Sequence, residues 1–451
     1  MSVRREAITT IGFVDQYCSL YQDLFPDVRS FEHFKFLYVG LISEIPNKSL
    51  PTIGRALGLD NGQSLHHFFA NSPWSVEAFR QRRLSLIKMA LKGRSLVLCI
   101  DETGDKKKGK TTDYVARQYI SNLGKIDSGI VAVSSYGVLN GITFPIVFEV
   151  FKPQTRLKAT DCYRTKPQTA VGIIRELKAL GLDFEVVLAD SLYGESSDFV
   201  SILEEMELRF VVAIRENHGV WLRHWERVRF STWKSFDRVF SDGEQEIRYI
   251  REIIYGKRRK IRYYQITTDP PELPEESTWF VMTNLEGNIY KEVGNVYGMR
   301  TWIEYGFKQI KNELGWADFR FTSYTEIEKW WEIVYSAYLM VSLQSELFKE
   351  KQEPAEPQIQ KEVETSSPKR DEDEEEETHG EEGQKGFSRH KWWDKGKGWK
   401  NVLNNLRLII QPLVYGCLLS PWLEVFPIPF LKEGFNKLIT LMNGFPGFVP
   451  A

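Results

Sequence analysis

Two short apolar runs, residues 95–101 (SLVLCID) and 184–190 (FEVVLAD), each close on an aspartate. A continuous apolar run of this length reads as a buried strand. Between them, residues 129–151 (GIVAVSSYGVLNGITFPIVFEVF) hold two β-rich runs joined at Leu139-Asn140-Gly141. Asn-Gly is a strong hairpin signal, because both residues tolerate the positive φ that a tight turn needs. A helix over about 167–180 is stopped by Gly181. A second helix near 196–207 leads into the strand 208–214 (LRFVVAI). The order β, β-hairpin, α, β, α, β predicts an α/β fold, a mixed sheet with helices packed on it.

The rest of the chain divides around that core. Residues 1–94 carry apolar residues at helical spacing, as in the run SFEHFKFLYVGLIS, and form an N-terminal helical domain. Within it, residues 49–74 read as two short helices around a Gly/Asp/Asn turn. That pattern fits a DNA-reading helix-turn-helix and a plain helical hairpin equally well. Residues 95–214 are the first part of the core. Residues 215–293 alternate charged with β-branched or aromatic residues and predict a β-rich insertion with one solvated face. Residues 294–349 return to helix, one over 295–315 ended by Gly315 and one over about 324–349. Residues 350–390, with the run DEDEEEE at 371–377, cannot bury enough apolar surface to offset the entropy of ordering and predict a disordered linker. Residues 391–451 are apolar again and predict a C-terminal helical segment that packs back on the core.

Charge follows the same division. The net charge is −2 over 451 residues, but residues 350–386 hold 14 acids and 5 bases. The remainder carries 54 bases and 47 acids, a mildly basic body that permits nucleic acid as a partner. Four cysteines, Cys18, Cys99, Cys162 and Cys417, stand far apart with no CxxC pair, which argues against a zinc site or disulfide framework and fits a reducing cytoplasm. No apolar stretch of about 18 or more residues appears, so no membrane-spanning helix is expected. The first residues are charged and polar where a signal peptide needs an apolar run.

Asp101 and Asp190, at the ends of neighbouring strands, can meet at the sheet rim, an all-oxygen arrangement suited to a hard cation such as Mg²⁺. Either alone can equally be a turn residue. The 295–315 helix adds a third carboxylate. With residues advancing by about 100° around a helix, Arg300 lies near −40°, Lys311 near −20° and Tyr297 near +20° of Glu304. One arc of about 60° therefore carries a carboxylate, a guanidinium fork, an ammonium and a phenol. A metal-binding carboxylate flanked by phosphate-holding donors fits this arc, and so does a solvated face with an i,i+4 ion pair.

The pattern Tyr297-x2-Arg300-x3-Glu304-x6-Lys311 resembles the YREK signature of a large group of bacterial insertion-sequence transposases. Residues 100–127 resemble the segment around the first aspartate of their DDE triad, residues 188–199 the segment around the second, and residues 66–74 the N-terminal region of one branch. The resemblance covers roughly residues 30–345. It implies an RNase H-like mixed sheet with flanking helices, interrupted by the β-rich insertion. It also implies that Asp101, Asp190 and Glu304 hold two Mg²⁺ ions, for which Mn²⁺ substitutes. The implied activity is hydrolysis at the ends of a DNA element, then transfer of the freed 3′-hydroxyl to target DNA. The implied partners are double-stranded DNA (terminal inverted repeats and target) and a second copy in a homodimer, at the cytoplasmic nucleoid and not at a membrane. Tyr297, Arg300 and Lys311 would position phosphates. Glu102 stands where many relatives have a second aspartate, and the acidic stretch is outside the pattern.

The basic run after the first aspartate, Lys106, Lys107, Lys108 and Lys110, is placed for phosphate contact, and Arg117 and Lys125 less directly so. Gly104, Gly109 and the sequence GKTT do not form a Walker A loop, since the upstream glycine spacing is wrong. Trp225 and Trp233 could stack on a flipped base, although core packing is the commoner use of such residues.

Overall fold

The computed structural model describes residues 5–109, 111–219, 225, 227–240, 244–255, 260–348, 386–396 and 398–448. The acidic run 371–377 and Lys110 therefore lie outside the described residues.

Five helices open the chain: α1 (Gly12–Ser19), α2 (Val28–Ile42), α3 (Leu50–Ala56), α4 (Gln63–Ala70) and α5 (Val76–Leu91). Side-chain caps set two of their starts, Asp27 accepting from the Ser30 amide and Ser75 from the Ala78 amide. Strands β1 (Leu96–Lys106), β2 (Ala116–Ile120), β3 (Lys125–Leu139) and β4 (Ile142–Val150) follow, then helix α6 (Lys166–Ala179) and strand β5 (Phe184–Ala189). Helices α7 (Ser191–Gly194) and α8 (Ser197–Glu205) lead to β6 (Phe210–Ile214). The β3–β4 turn is the expected Asn-Gly hairpin, with φ of 51° at Asn140 and 74° at Gly141. Thr165 and Gln168 close a capping box at the start of α6.

Strands β7 (Lys234–Val239), β8 (Gln245–Ile253), β9 (Arg262–Thr267) and β10 (Trp279–Thr283) form an antiparallel meander. They do not build a sheet of their own. β10 pairs with β6, so the order runs β2-β3-β1-β5-β6-β10-β9-β8-β7 in one ten-stranded mixed sheet, with β4 also on β3. The parallel pairs β1–β5 and β5–β6 lie at its centre. This is the mixed α/β sheet with flanking helices that the sequence pattern predicts.

Helices α9 (Tyr290–Gly298), α10 (Thr301–Asn312) and α11 (Tyr324–Gln344) return the chain to the sheet. The single helix expected over 295–315 is two. Between them the amides of Arg300, Trp302 and Ile303 bond three residues back instead of four, so the chain tightens by a partial turn at Arg300. Close packing accompanies the break: a Cβ on Gly294 would fall within 2.3 Å of the Phe236 ring, and one on Gly298 within 3.1 Å of Arg238.

The core sits around α11, buried almost end to end from Ile327 to Gln344. Trp331 stacks on Trp316 at 4.4 Å, and fully buried Glu332 accepts from Arg83 (2.8 Å) and Arg80 (2.7 Å) of α5. Arg83 also donates to the carbonyls of Pro145 and Ile146 in β4, so no charge of this pair is left without partners.

Helices α12 (Trp399–Val425) and α13 (Leu431–Met442) end the fold. The first half of α12 packs back on the core as expected, with Trp399 stacked on Tyr338 at 4.1 Å. The expectation of no spanning-length apolar segment is corrected: by length and composition α12 could cross a membrane, with a mean hydropathy of 1.4 over its best window. Asn404, Asn405, Arg407 and Gln411 interrupt its sequence and hide it from a search for unbroken apolar runs. Its first half is buried against the body at Leu403, Leu406, Ile409 and Ile410, whereas Tyr415, Leu418, Leu419, Trp422 and Val425 of its second half are exposed.

Candidate active site

Strand β1 does not end at Asp101 as its apolar run suggests. It continues five residues to Lys106 against β3, where Asp101 pairs with Ser134. What ends near Asp101 is the parallel ladder with β5, whose last register pair is Ile100 with Ala189. Asp101 and Asp190 are thus the next residues on adjacent strands, and the register alone brings the two carboxylates to the same rim.

Asp190 leaves β5 and caps the short helix α7, accepting from the Leu192 amide at 2.9 Å. Asp101 accepts from the amide of Glu102 at 2.8 Å and from Arg300 Nη1 at 3.1 Å. Burial, then the nearby Asp190 charge, pushes the Asp101 carboxyl up to about 8, against the pull of Arg300. Burial likewise raises Asp190.

Arg300 joins the rim to the helices. Its Nη2 lies 2.6 Å from Glu304 Oε1 while Nη1 holds Asp101. Glu304, in the first turn of α10, keeps about half of its side chain exposed (52%), against 11% for Asp101. Tyr297 is buried beside Arg300, its ring edge-on to Trp279 at 5.6 Å, and burial raises its phenol. A cleft of about 590 Å³ opens here, lined by Asp190, Gln265, Trp279, Tyr297 and Arg300 among others. The guanidinium groups of Arg248 and Arg238 stand 4.3 and 5.0 Å from the Trp279 ring.

The remaining basic residues divide by engagement. Lys311 donates to the Gly104 carbonyl at 2.6 Å, anchoring α10 to the outer part of β1, and burial lowers its ammonium to about 8. Lys107 is taken up by the Ala317 carbonyl, by Asp105 and by the face of Phe319 at 3.8 Å. Lys106 pairs with Asp127 at 2.7 Å. Lys108 and Arg117 are exposed. Trp225 is 76% exposed, whereas Trp233 stacks on Arg251 at 4.4 Å.

Tyr297, Arg300, Glu304, Asp101 and Asp190 are therefore gathered at one rim, from positions about 200 residues apart in the chain. Among the described residues, no three acidic, histidine or cysteine side chains converge closely enough to form a ready metal cage. The guanidinium of Arg300 stands between Asp101 and Glu304. The donor chemistry fits a divalent cation all the same. All three groups are carboxylates, and buried Asp101 lies beside half-buried Asp190, with Arg300 and, for Asp190, Lys166 offsetting their charge.

Four neighbours of the site were not picked out by the sequence reading, or were left without a role: Glu102, Lys166, Tyr193 and Trp279. Strand alternation carried a signal for the first, since residues 101 and 102 must face opposite sides of β1.

Family models and a relative match the chain. Residues 20–233 match the family described as DDE superfamily endonuclease, and residues 154–340 match the family described as transposase DDE domain. The chain is 57% identical over 325 residues to the protein titled "Probable transposase for insertion sequence element IS701" of Microchaete diplosiphon. That match covers 72% of this chain and 86% of the relative. Buried Asp101 beside half-buried Asp190 at the rim of a mixed sheet, a helix glutamate tied to Asp101 by one arginine, and these matches together show that the chain belongs to the DDE transposases of insertion sequences.

Proposed function

We propose that Asp101, Asp190 and Glu304 form the catalytic carboxylate set of an enzyme that cleaves DNA at the ends of its element and joins the freed 3′-hydroxyl to target DNA. The observation that carries this reading is Arg300, bonded at once to Asp101 and Glu304 beside Asp190. Two divalent ions, Mg²⁺ or in its place Mn²⁺, would supply Lewis acidity and a nucleophilic oxygen for in-line displacement at phosphorus. Asp101 and Asp190 would hold them from the sheet and Glu304 from α10. Arg300 is the only guanidinium bonded to this carboxylate set among the described residues, and its planar fork suits a backbone phosphate. Tyr297 offers a hydroxyl beside it. Lys311 acts at one remove, holding α10 to β1. Exposed Lys108 and Arg117 extend the contact with double-stranded DNA, both the terminal inverted repeats and the target, and Lys107 and Lys110 belong to the same basic run. Two element ends call for two sites, hence a homodimer on DNA, working at the nucleoid.

Mg²⁺-dependent cleavage and joining on a duplex carrying the element's inverted ends tests this reading. Glu304→Ala is expected to lose cleavage and keep DNA binding. Unchanged cleavage in that variant overturns the assignment, and cleavage without joining by the unaltered protein reduces the activity to that of a nuclease.

A further inference from the structure

Glu102 sits next to Asp101 in the chain but looks the other way. Its side chain is buried, with Oε1 2.6 Å from the Lys166 ammonium at the start of α6 and Oε2 accepting from the Tyr193 hydroxyl at 3.3 Å. Tyr193 is fully buried in α7, the helix that Asp190 caps, and its amide bonds to the Asp190 carbonyl at 3.2 Å. The same Glu102 donates its own amide to Asp101 Oδ1 at 2.8 Å. One residue thus touches Asp101 through its backbone and the Asp190 turn through its side chain. A third contact limits where that turn can go: a Cβ on Gly194 would lie 1.9 Å from the Ala213 carbonyl oxygen, so α7 lies flat on β6.

We propose that Glu102 is a positioning residue and not a metal ligand. Through Tyr193, with Lys166 neutralising its charge, it fixes the spacing of Asp101 and Asp190. This rests on the reading of those two aspartates as metal ligands. A carboxylate that orients ligands from behind commonly changes metal affinity by about ten- to a hundredfold when removed. Burial of Glu102 without Lys166 would leave an unpaired charge in the core, which explains why the brace is an ion pair and not a lone acid.

The test is a double-mutant cycle on the full chain, read as Mn²⁺ affinity by electron paramagnetic resonance. Glu102→Ala and Tyr193→Phe are each expected to weaken Mn²⁺ binding, Glu102→Ala by about tenfold. The double variant should bind no more weakly than Glu102→Ala alone, because both changes break one connection. Glu102→Gln, which keeps an acceptor for Tyr193, should stay within about threefold of the unaltered protein. Additive losses, or a Glu102→Gln loss as large as that of Glu102→Ala, would overturn the proposal and make Glu102 a ligand. A lowered melting temperature with unmoved Mn²⁺ affinity would overturn it in favour of a purely structural role. Should Glu102→Ala fail to fold, Tyr193→Phe and Glu102→Gln carry the same test. Asp190→Asn is the control: Mn²⁺ binding unmoved by that change would remove the metal site itself, and the brace with it.

Discussion

The two aspartates and the glutamate are held in different ways. Asp101 and Asp190 sit on adjacent parallel strands at the centre of a ten-stranded sheet, and the strand register sets their separation. Glu304 stands half exposed one turn into a helix that starts at a break, and Arg300 ties it to the rim. A sheet register cannot slip by one residue without turning every buried side chain outward. A helix on a sheet face can shift by a fraction of an ångström for far less. The rim is therefore the fixed half of the proposed site, and α10 is its adjustable half.

The largest expected effect lies on the fixed half. Asp101→Asn or Asp190→Asn should lower cleavage on the order of a thousandfold or more, with the protein still folded by circular dichroism. An equal loss of fold would mean that the rim is structural. Next comes the scaffold beneath it. Glu332→Ala strands Arg83 in the core and should cost about 3–5 kcal/mol in denaturant unfolding. Surviving protein should still bind DNA. On the adjustable half, Gly306→Ala puts a Cβ 2.6 Å from the Tyr136 ring and should lift α10 off the sheet, at about 1–3 kcal/mol. Its cleavage rate should drop more than its Mn²⁺ affinity, if the aspartates bind first and Glu304 completes the site.

The last expectation is a direction, in pH. The Asp101 carboxyl is raised to about 8 in the fold from about 4 in the unfolded chain, so the fold binds the extra proton. Its contribution to the stability of the metal-free protein is complete below about pH 4 and fades as pH rises toward 8. Asp101→Asn should flatten that decline in a series of melting curves. Mn²⁺ affinity should move the opposite way, rising toward pH 8 as the proton leaves.

Part of this was legible in the sequence because it depends on local chemistry. Asn140-Gly141 announces its turn, and the runs ending at Asp101 and Asp190 announce buried strands. The extent of β1 was not legible, since its outer half (ETGDK) is polar and owes its strand form to pairing with β3. Strand order is not a local property either, so the joining of β10 to β6 could not be read. The helical arc grouped Tyr297, Arg300, Glu304 and Lys311 on one face, but the contacts that the fold gives them were not legible. Arg300 stands at a break between two helices and bonds Asp101, and Lys311 ends on a carbonyl of β1.

The most direct test is a crystal structure of the protein with Mn²⁺ and an uncleaved element end, read by anomalous scattering. The account predicts metal peaks bonded by Asp101, Asp190 and Glu304, with Arg300 moved from Asp101 onto a backbone phosphate. Metal held by the aspartates with Glu304 still turned away, or bonded by Glu102 in its place, would contradict it.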